Sequence, residues 1–468
     1  MKSLRQNILH KSIITLLFIS LLSIEAKAQV RGGDIKLDQS PIIRLDTNID
    51  SRNFLQRLVT EPLVSVRDDK TDIVITPLLD QIVGRNSKFN GDYWWRNGRG
   101  AYVGVFGNNL EIEAYILEMQ TVHPPSFLSE FYESHGAIPE YSRWKRFKEN
   151  GFDANNAGGT IALNPTEGWH LKGGYGKVIQ GAGYRNLVFG RNFASYPFLQ
   201  SSINLYQNKL RLENVWFRLS SSERIKKTAS AEAQFQQNRG VKSSIIYDVS
   251  KKLSVGLGEL RYSRSHKDEG LLMDSKENPA TWYDYNPIPL LGVLARHIKD
   301  DKPDERVESN SVTLDILFKP NNYLKFYGTA FVDFFTENGQ FQLGGEFNLQ
   351  REFGLRFRAE KLWFSDVALL SEYSGIFPAN GDMGDQQTLL ESEASYKRFF
   401  LHGTGVIYSV YKAPSGTRNT RLVGDFGLGY VINPSYHLKI QCGYAVSGLD
   451  RNIYVRLATH LFGRRLDF

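Results

Sequence analysis

Residue types that could carry catalysis or bind a metal occur along this chain, but their spacing matches no site. The nine His residues are scattered, with no H-E-x-x-H motif and no pair at positions i and i+4. The pair Ser134-His135 has no third residue nearby in the sequence that would orient a base. Acidic residues between 299 and 306 alternate with Lys and Arg, which is typical of a solvated loop. We therefore expect a protein without enzymatic activity, metal or cofactor.

Two further patterns are also better explained without chemistry. The glycines of 173–176 and 181–183 lack the G-x-G-x-x-G spacing of a dinucleotide site, and no helical pattern follows them. They are expected to allow loop bends. Cys442 is the single cysteine, so an intramolecular disulfide and a zinc cluster of cysteines are both excluded.

Two segments combine aromatic and basic side chains in a way that suits an acidic sugar chain. Segment 120–156 contains Trp144 among several Lys and Arg residues, and segment 177–199 contains further Tyr and Arg residues. Aromatic rings stack on sugar faces or cations, and fixed cations bind uronate or phosphate groups. The candidate glycan-binding residues are Trp144, Tyr184, Arg185, Arg191 and Tyr196. In the alternative interpretation, the aromatic residues pack the mouth of the protein closed.

The N-terminus predicts export. Three basic residues precede position 12, an apolar stretch covers 13–24, and an A-x-A cleavage pattern stands at 26–28. We expect a cleaved signal peptide over 1–28. Without its four basic residues and one acid, the mature chain has 57−4 = 53 bases and 50−1 = 49 acids, a net charge of +4. This charge gives no support to a nucleic-acid partner.

The remaining chain alternates between apolar and polar residues with a period of two, which predicts strands. Apolar residues at 110, 112, 114 and 116 alternate with Glu111 and Glu113, and Leu355 and Phe357 alternate with basic residues. A wall with lipid on one side and water on the other satisfies both faces. The residues expected to face the lumen are Arg356, Arg358, Glu360, Lys439 and Arg456.

About 18 such strands can be counted, and short Asn-, Pro- and Lys-rich turns alternate with long connections. The predicted fold is all-β: a transmembrane antiparallel up-and-down β-barrel over 71–468 with long external loops. Residues 29–70 form a periplasmic segment, in which 50–61 shows helical spacing and predicts a short helix. The long connections are expected at 83–99, 120–156, 177–199, 220–241, 265–308 and 364–387.

Several segments resemble the Wzi-like capsule-assembly family of outer-membrane proteins, close to its gliding-motility-associated branch. They are residues 176–187, 192–199, 285–287 and 461–468. The resemblance implies a monomeric 18-stranded barrel with a small helical periplasmic element and loops that largely occlude the pore. It also implies binding of capsular polysaccharide, with Tyr184, Arg185 and Tyr196 matching the loop motif.

The leading hypothesis is a non-enzymatic outer-membrane protein that binds or organises surface capsular or exopolysaccharide, coupled to gliding motility or secretion proteins. Its other expected partners are membrane lipid and the barrel-assembly machinery. Two alternatives stay open. One is a porin-like channel for anions, lined by Arg356, Arg358, Lys439 and Arg456. The other is a structural partner of a larger envelope complex.

Overall fold

The structure is a computed structural model. The part of the chain that it describes comprises residues 64–67, 71–86, 93–125, 129, 133, 138, 141, 144–183, 189, 195–224, 235–264, 286–290, 307–333, 339–350, 353–364, 386–412, 417–434, 437–448 and 450–459. The predicted signal peptide and the predicted helix over 50–61 lie outside these residues. Among the described residues, no helix is long and apolar enough to cross a membrane.

Antiparallel strands account for almost all of the described chain. They are β1 (Val64–Arg67), β2 (Thr71–Asn86), β3 (Tyr93–Gly107), β4 (Leu110–Val122), β5 (Trp144–Arg146), β6 (Gly151–Thr166), β7 (Trp169–Gly176), β8 (Tyr196–Leu205), β9 (Leu210–Arg224), β10 (Phe235–Ser250), β11 (Leu253–Arg264), β12 (Val307–Phe318), β13 (Leu324–Asp333), β14 (Gly339–Leu349), β15 (Phe353–Phe364), β16 (Gln386–Tyr396), β17 (Phe399–Lys412), β18 (Thr417–Asn433), β19 (Leu438–Ser447) and β20 (Asp450–Ala458).

Eighteen of these strands form a closed barrel. Each pairs with its neighbours along the wall, and β2 pairs with both β3 and β20, which closes the sheet. The two remaining strands are short additions to the wall. Strand β1 pairs with the first part of β2, and β5 forms a hairpin with the start of β6. The predicted 18-stranded antiparallel barrel is confirmed.

Polar side chains stabilise the short turns at one end of the barrel. The Oδ1 atom of Asn321 accepts hydrogen bonds from the backbone N–H groups of Tyr323 and Leu324, both at 2.9 Å. The Oγ atom of Ser250 accepts hydrogen bonds from the backbone N–H groups of Lys252 at 3.2 Å and Leu253 at 3.1 Å. Asn and Ser favour turns because their side chains bond the local backbone in this way.

Several strands begin earlier than the sequence predicts. Strand β3 begins at Tyr93 instead of 100, β6 at Gly151 instead of 157, and β10 at Phe235 instead of 242. These strands begin at the end of the barrel opposite the short turns, which we call the mouth. The connections there are correspondingly shorter than the sequence predicts. The physical reason is composition: Trp94 and Arg96 face inward while Trp95 and Asn97 face outward, so each face mixes aromatic and polar residues. The contrast between the two faces therefore fades near the mouth.

The outward face of the wall is apolar. Large side chains exposed there include Ile116, Leu343, Phe357, Leu428 and Ile440. Towards the short turns the exposed residues are often aromatic, and Phe318 and Phe326 stack at 6.5 Å between ring centroids. An apolar band bordered by aromatic rings is the surface that a barrel presents to lipid.

One part of the outward face carries charges that are covered. Glu259 and Arg261 alternate with the inward-facing residues of β11, and both are buried. The Arg261 Nη2 atom donates a hydrogen bond of 2.5 Å to the Asn286 carbonyl oxygen. The connection between β11 and β12 therefore lies against the wall at this point.

The interior divides into two regions. In the mouth half, buried apolar residues form a continuous cluster along β16 to β20 and β2, β3, β4 and β6. In the half nearer the short turns, charged side chains such as Lys172, Lys325, Arg356 and Glu393 face inward and are partly exposed. The lumen is thus mainly apolar in the mouth half, where Arg96 is buried beside Trp94, and mainly charged in the other half.

We predict that a charge on the outward face is far more costly than the same charge inside. Leu343 is 58% exposed on the outward face of β14. The substitution Leu343→Arg should destabilise the barrel by about 2–4 kcal/mol in a lipid refolding titration. The control is Thr329→Arg on adjacent β13, an inward position beside Asp315 that offers the new cation a partner. Equal losses for both variants would contradict this assignment of faces.

Candidate functional site

A buried ion cluster joins the first and last strands of the wall. Asp80 of β2 accepts a hydrogen bond from Arg456 Nε of β20 at 2.8 Å. Its other oxygen accepts one from Arg96 Nη1 of β3 at 3.3 Å. All three side chains are buried, so one carboxylate neutralises charge on two guanidinium groups inside the barrel. The cluster holds the seam at which the sheet closes.

A second ion network lines the lumen on β14 to β16. Arg358 of β15 pairs with Glu346 of β14 at 2.5 Å and with Glu391 of β16 at 2.9 Å. Arg356 pairs with Glu391 at 3.1 Å and with Glu393 at 2.6 Å. Arg358 is held by two different strands, and Arg356 by two carboxylates of the same strand. Every Arg and Glu in this network has a partner, so the network first of all holds the wall together.

Two polar chains extend these networks around the wall. The Tyr327 hydroxyl donates to Glu360, which also accepts a hydrogen bond from Gln342 Nε2 at 3.3 Å. His402 and Asp425 are 3.1 Å apart, and the Tyr454 hydroxyl donates to Asp425 at 2.6 Å.

The His402–Asp425 pair is of a type that can serve in catalysis. Both residues are buried, and they link β17 to β18 inside the wall. A buried pair of this kind cannot contact a large substrate at the mouth, so we assign it a structural role.

The connection between β4 and β6 folds into the mouth. Ile138 and Tyr141 are buried within the apolar cluster of the wall. The Tyr141 hydroxyl also donates to Asp80 at 3.4 Å, so this connection reaches the ion cluster at the seam. The mouth is therefore filled here by packed side chains.

The connection between β7 and β8 folds inward as well. The Gln180 side chain donates to Glu213 at 3.3 Å, and Ser195 donates to Asn156 at 3.1 Å. Phe189 is buried against Phe217, with ring centroids 5.1 Å apart in a T-shaped arrangement. These contacts attach the connection to the inner surface of β6 and β9.

Cations remain exposed on a hairpin at the rim of the mouth. This hairpin, residues 144–154, is named the mouth hairpin below. The Arg146 guanidinium lies 5.4 Å from the centre of the Trp144 ring, and Lys148 Nζ lies 5.5 Å from that of Trp95. Lys145, Arg146 and Lys148 are all exposed. The hairpin thus presents three exposed cations, two of them near aromatic rings, beside the exposed carboxylate of Glu149.

The structure describes two of the five candidate glycan-binding residues. Trp144 is on the mouth hairpin, half-buried, with its ring 4.7 Å from that of Phe152. Tyr196 is only 4% exposed, is packed among Phe189, Phe198 and Phe217, and accepts a hydrogen bond from Val178 N. This burial supports the alternative interpretation, in which the ring packs the mouth; a glycan contact by Tyr196 stays a prediction. The other three candidates, Tyr184, Arg185 and Arg191, lie outside the described residues.

The residues predicted to face the lumen are found on the inner face. Arg356, Arg358 and Glu360 belong to the network on β15, and Arg456 belongs to the seam. Lys439 Nζ lies 5.3 Å from the centre of the Phe400 ring near the short turns. Sequence reasoning missed the partners Asp80, Arg96 and Asp425. The available signal was that Asp80 and Asp425 stand at inward positions of their strands. Such a position does not identify the residue with which the acid pairs.

Comparison with known proteins gives similarity of fold only. No family model and no curated protein matches the chain. Among solved structures, Pseudomonas aeruginosa OpdK with vanillate has a TM-score of 0.45 at 10% identity, covering 84% of this chain and 98% of that one. OccK8 (OprE) of the same organism has a TM-score of 0.43 at 12% identity, covering 83% and 96%.

Wzi of Escherichia coli is also among the similar structures. It is described as an outer-membrane protein involved in group 1 capsule assembly and a carbohydrate-binding β-barrel. Its TM-score is 0.45 at 11% identity, covering 81% of this chain and 84% of that one. Similarities at this level carry no argument about function. The closer relation to gliding-motility proteins finds no support in these comparisons and stays a prediction.

We predict that Asp80 is essential to stability. Asp80→Asn removes the charge shared by Arg96 and Arg456, and should cost about 3–5 kcal/mol because it leaves buried guanidinium charge uncompensated. A denaturant titration of the barrel in lipid vesicles measures this loss.

The control for this prediction is an exposed ion pair. Glu133 and Arg146 at the mouth are 3.1 Å apart and about half exposed, so Glu133→Gln should cost less than about 1 kcal/mol. If the two variants lost the same stability, the seam cluster would not have the importance given to it here.

Proposed function

We propose that this protein is a non-enzymatic outer-membrane barrel that binds or organises an acidic surface polysaccharide at its mouth. The observation that carries the proposal is the contrast at the mouth. The interior there is packed with buried apolar side chains, whereas the mouth hairpin presents exposed cations at the rim.

Orientation supports this proposal. In outer-membrane barrels the short turns face the periplasm and the longer connections face outside. The mouth hairpin belongs to the end with the longer connections, so it would be at the cell surface. A signal peptide over 1–28 would supply export to that membrane.

The chemistry of the hairpin suits an acidic sugar chain. Lys145 and Lys148 are exposed ammonium groups, and Arg146 lies 5.4 Å from the Trp144 ring centre while pairing with Glu133 at 3.1 Å. Charge-assisted hydrogen bonds to carboxylate or phosphate groups are stronger than neutral ones. The half-buried rings of Trp144 and Phe147 would add contact area for a sugar face. Arg185 and Arg191 would extend the same surface.

An anion channel is the second candidate function. The half of the lumen nearer the short turns is charged, and Lys325 and Arg356 are partly exposed there. A passage for anions would need a continuous route through the mouth half. The apolar cluster with Ile138 and Tyr141 stands against such a route in the described residues, so we favour polysaccharide binding. Coupling to motility or secretion proteins, or to a larger envelope complex, is a further proposal.

We predict that the hairpin cations retain polysaccharide on cells. Lys145→Gln, Arg146→Gln and Lys148→Gln together remove up to three charge-assisted contacts of about 1.5–3 kcal/mol each, so binding should fall by more than tenfold. The measurement is cell-bound polysaccharide relative to barrel abundance. Arg185→Ala with Arg191→Ala tests the neighbouring loop in the same assay.

The matched control is Lys251→Gln with Lys252→Gln. These two lysines are exposed on a short turn at the other end of the barrel, and their removal should leave polysaccharide unchanged. Normal retention in both the hairpin and the loop variants, with normal amounts of folded barrel, would rule out this site.

A further inference from the structure

A buried lysine faces the lumen without a partner. Lys242 of β10 is 5% exposed and is flanked on the inner face by Val215 of β9 and Leu260 of β11. It makes no ion pair or hydrogen bond within the part of the chain that the structure describes. This sets it apart from Arg358 and Arg456, which are as deeply buried but hold carboxylates.

The nearby acids are already engaged. Glu213 of β9 faces inward one step below Lys242, where it pairs with Arg211 at 2.7 Å and accepts from Gln180 at 3.3 Å. Asp315 of β12 accepts a hydrogen bond from Thr329 Oγ1 at 2.7 Å. An ammonium group in a largely buried side chain is costly without a counter-charge, because it gives up water and gains no ion pair.

Two buried hydroxyl groups without partners lie in the next row of residues on the inner face. Ser244 is the next inward residue of β10, and it is in register with Gly258 of β11 and Thr313 of β12. Neither Ser244 Oγ nor Thr313 Oγ1 has a hydrogen-bond partner among the described residues, although both are buried.

Gly258 brings these two hydroxyls together. A methyl group on Gly258 would meet Thr313 Oγ1 at 2.6 Å and Ser244 Oγ at 2.7 Å. The two oxygens therefore lie close together over the glycine, where a side chain would collide with both of them. Buried polar atoms normally have a partner, so two free hydroxyls at one point indicate an absent one.

We propose that Lys242, Ser244 and Thr313 form a binding site for a small oxyanion, either inorganic phosphate or the carboxylate of a uronic acid. The ammonium supplies the counter-charge, and each hydroxyl donates one hydrogen bond to an anion oxygen. A cation would be repelled by Lys242. This site goes beyond the proposed function, because it lies inside the wall at β10 to β12 and not on the mouth hairpin.

The test is a titration of the purified barrel in detergent with sodium phosphate and, separately, sodium glucuronate. Ionic strength is held constant with sodium chloride, and heat of binding is measured. We expect saturable binding of at least one probe, weakened roughly tenfold or more by Lys242→Met. The probe that binds identifies the source of the oxyanion. The matched control is Lys251→Met on an exposed short turn, which should bind like the native protein.

A second variant tests the proposal independently of whether the first one folds. Ser244→Ala with Thr313→Val keeps the lysine and removes both hydroxyl donors, and it should weaken binding severalfold. If Lys242→Met does not fold, this variant decides the question. The proposal is overturned if neither probe binds the native barrel, or if the folded variants bind as well as the native protein. None of these readouts depends on polysaccharide retention, so the two proposals can fail separately.

Discussion

In the hydrocarbon of a membrane, a backbone N–H or C=O group finds no water to bond with, so a sheet that crosses it has to close on itself. Here closure depends on the pairing of Asp80–Asn86 in β2 with 452–458 in β20. These two segments are separated in sequence by almost the whole barrel, and they must pair in this register. The carboxylate of Asp80, bonded to Arg456 across the seam and to Arg96 on the far side of β2, favours that register from inside the lumen.

The same constraint shapes the rest of the interior. Because the outward face must be apolar, charged and hydrogen-bonding side chains are placed inside, where each needs a partner. Neighbouring strands supply these partners, as Glu346 and Glu391 do for Arg358. Near the mouth the interior is stabilised in a different way. There the connections fold inward, and packed side chains such as Tyr141 and Phe189 replace water. A wall stabilised from within, with packed side chains in the described part of the mouth, leaves the rim as a surface available for a large ligand.

The strands of the wall were predicted well because the alternation that identifies a strand depends only on residues close together in the sequence. Alternation along Leu110–Val122 separates lipid-facing from lumen-facing residues without any knowledge of neighbouring strands, and the strand count followed from it. Strand ends near the mouth were predicted poorly. In 93–99 and 151–156 neither face is uniformly apolar, since Arg96 and Asn156 face inward and Asn97 and Asn155 face outward, so no period of two is visible in the sequence. The polar partners depend on register, and the Asp80–Arg456 contact joins residues 376 positions apart. The role of Tyr196 stayed ambiguous because an aromatic residue before proline suits both packing and stacking.

The central claim is that the mouth is closed by packed side chains, and ion conductance through single barrels in a planar bilayer tests it most directly. The account predicts no steady conductance from the native protein. It also predicts that opening the mouth by Tyr141→Ala with Ile138→Ala, which removes buried side chains from the apolar cluster, produces current. A native barrel that conducts continuously and prefers anions would contradict the account and favour a channel.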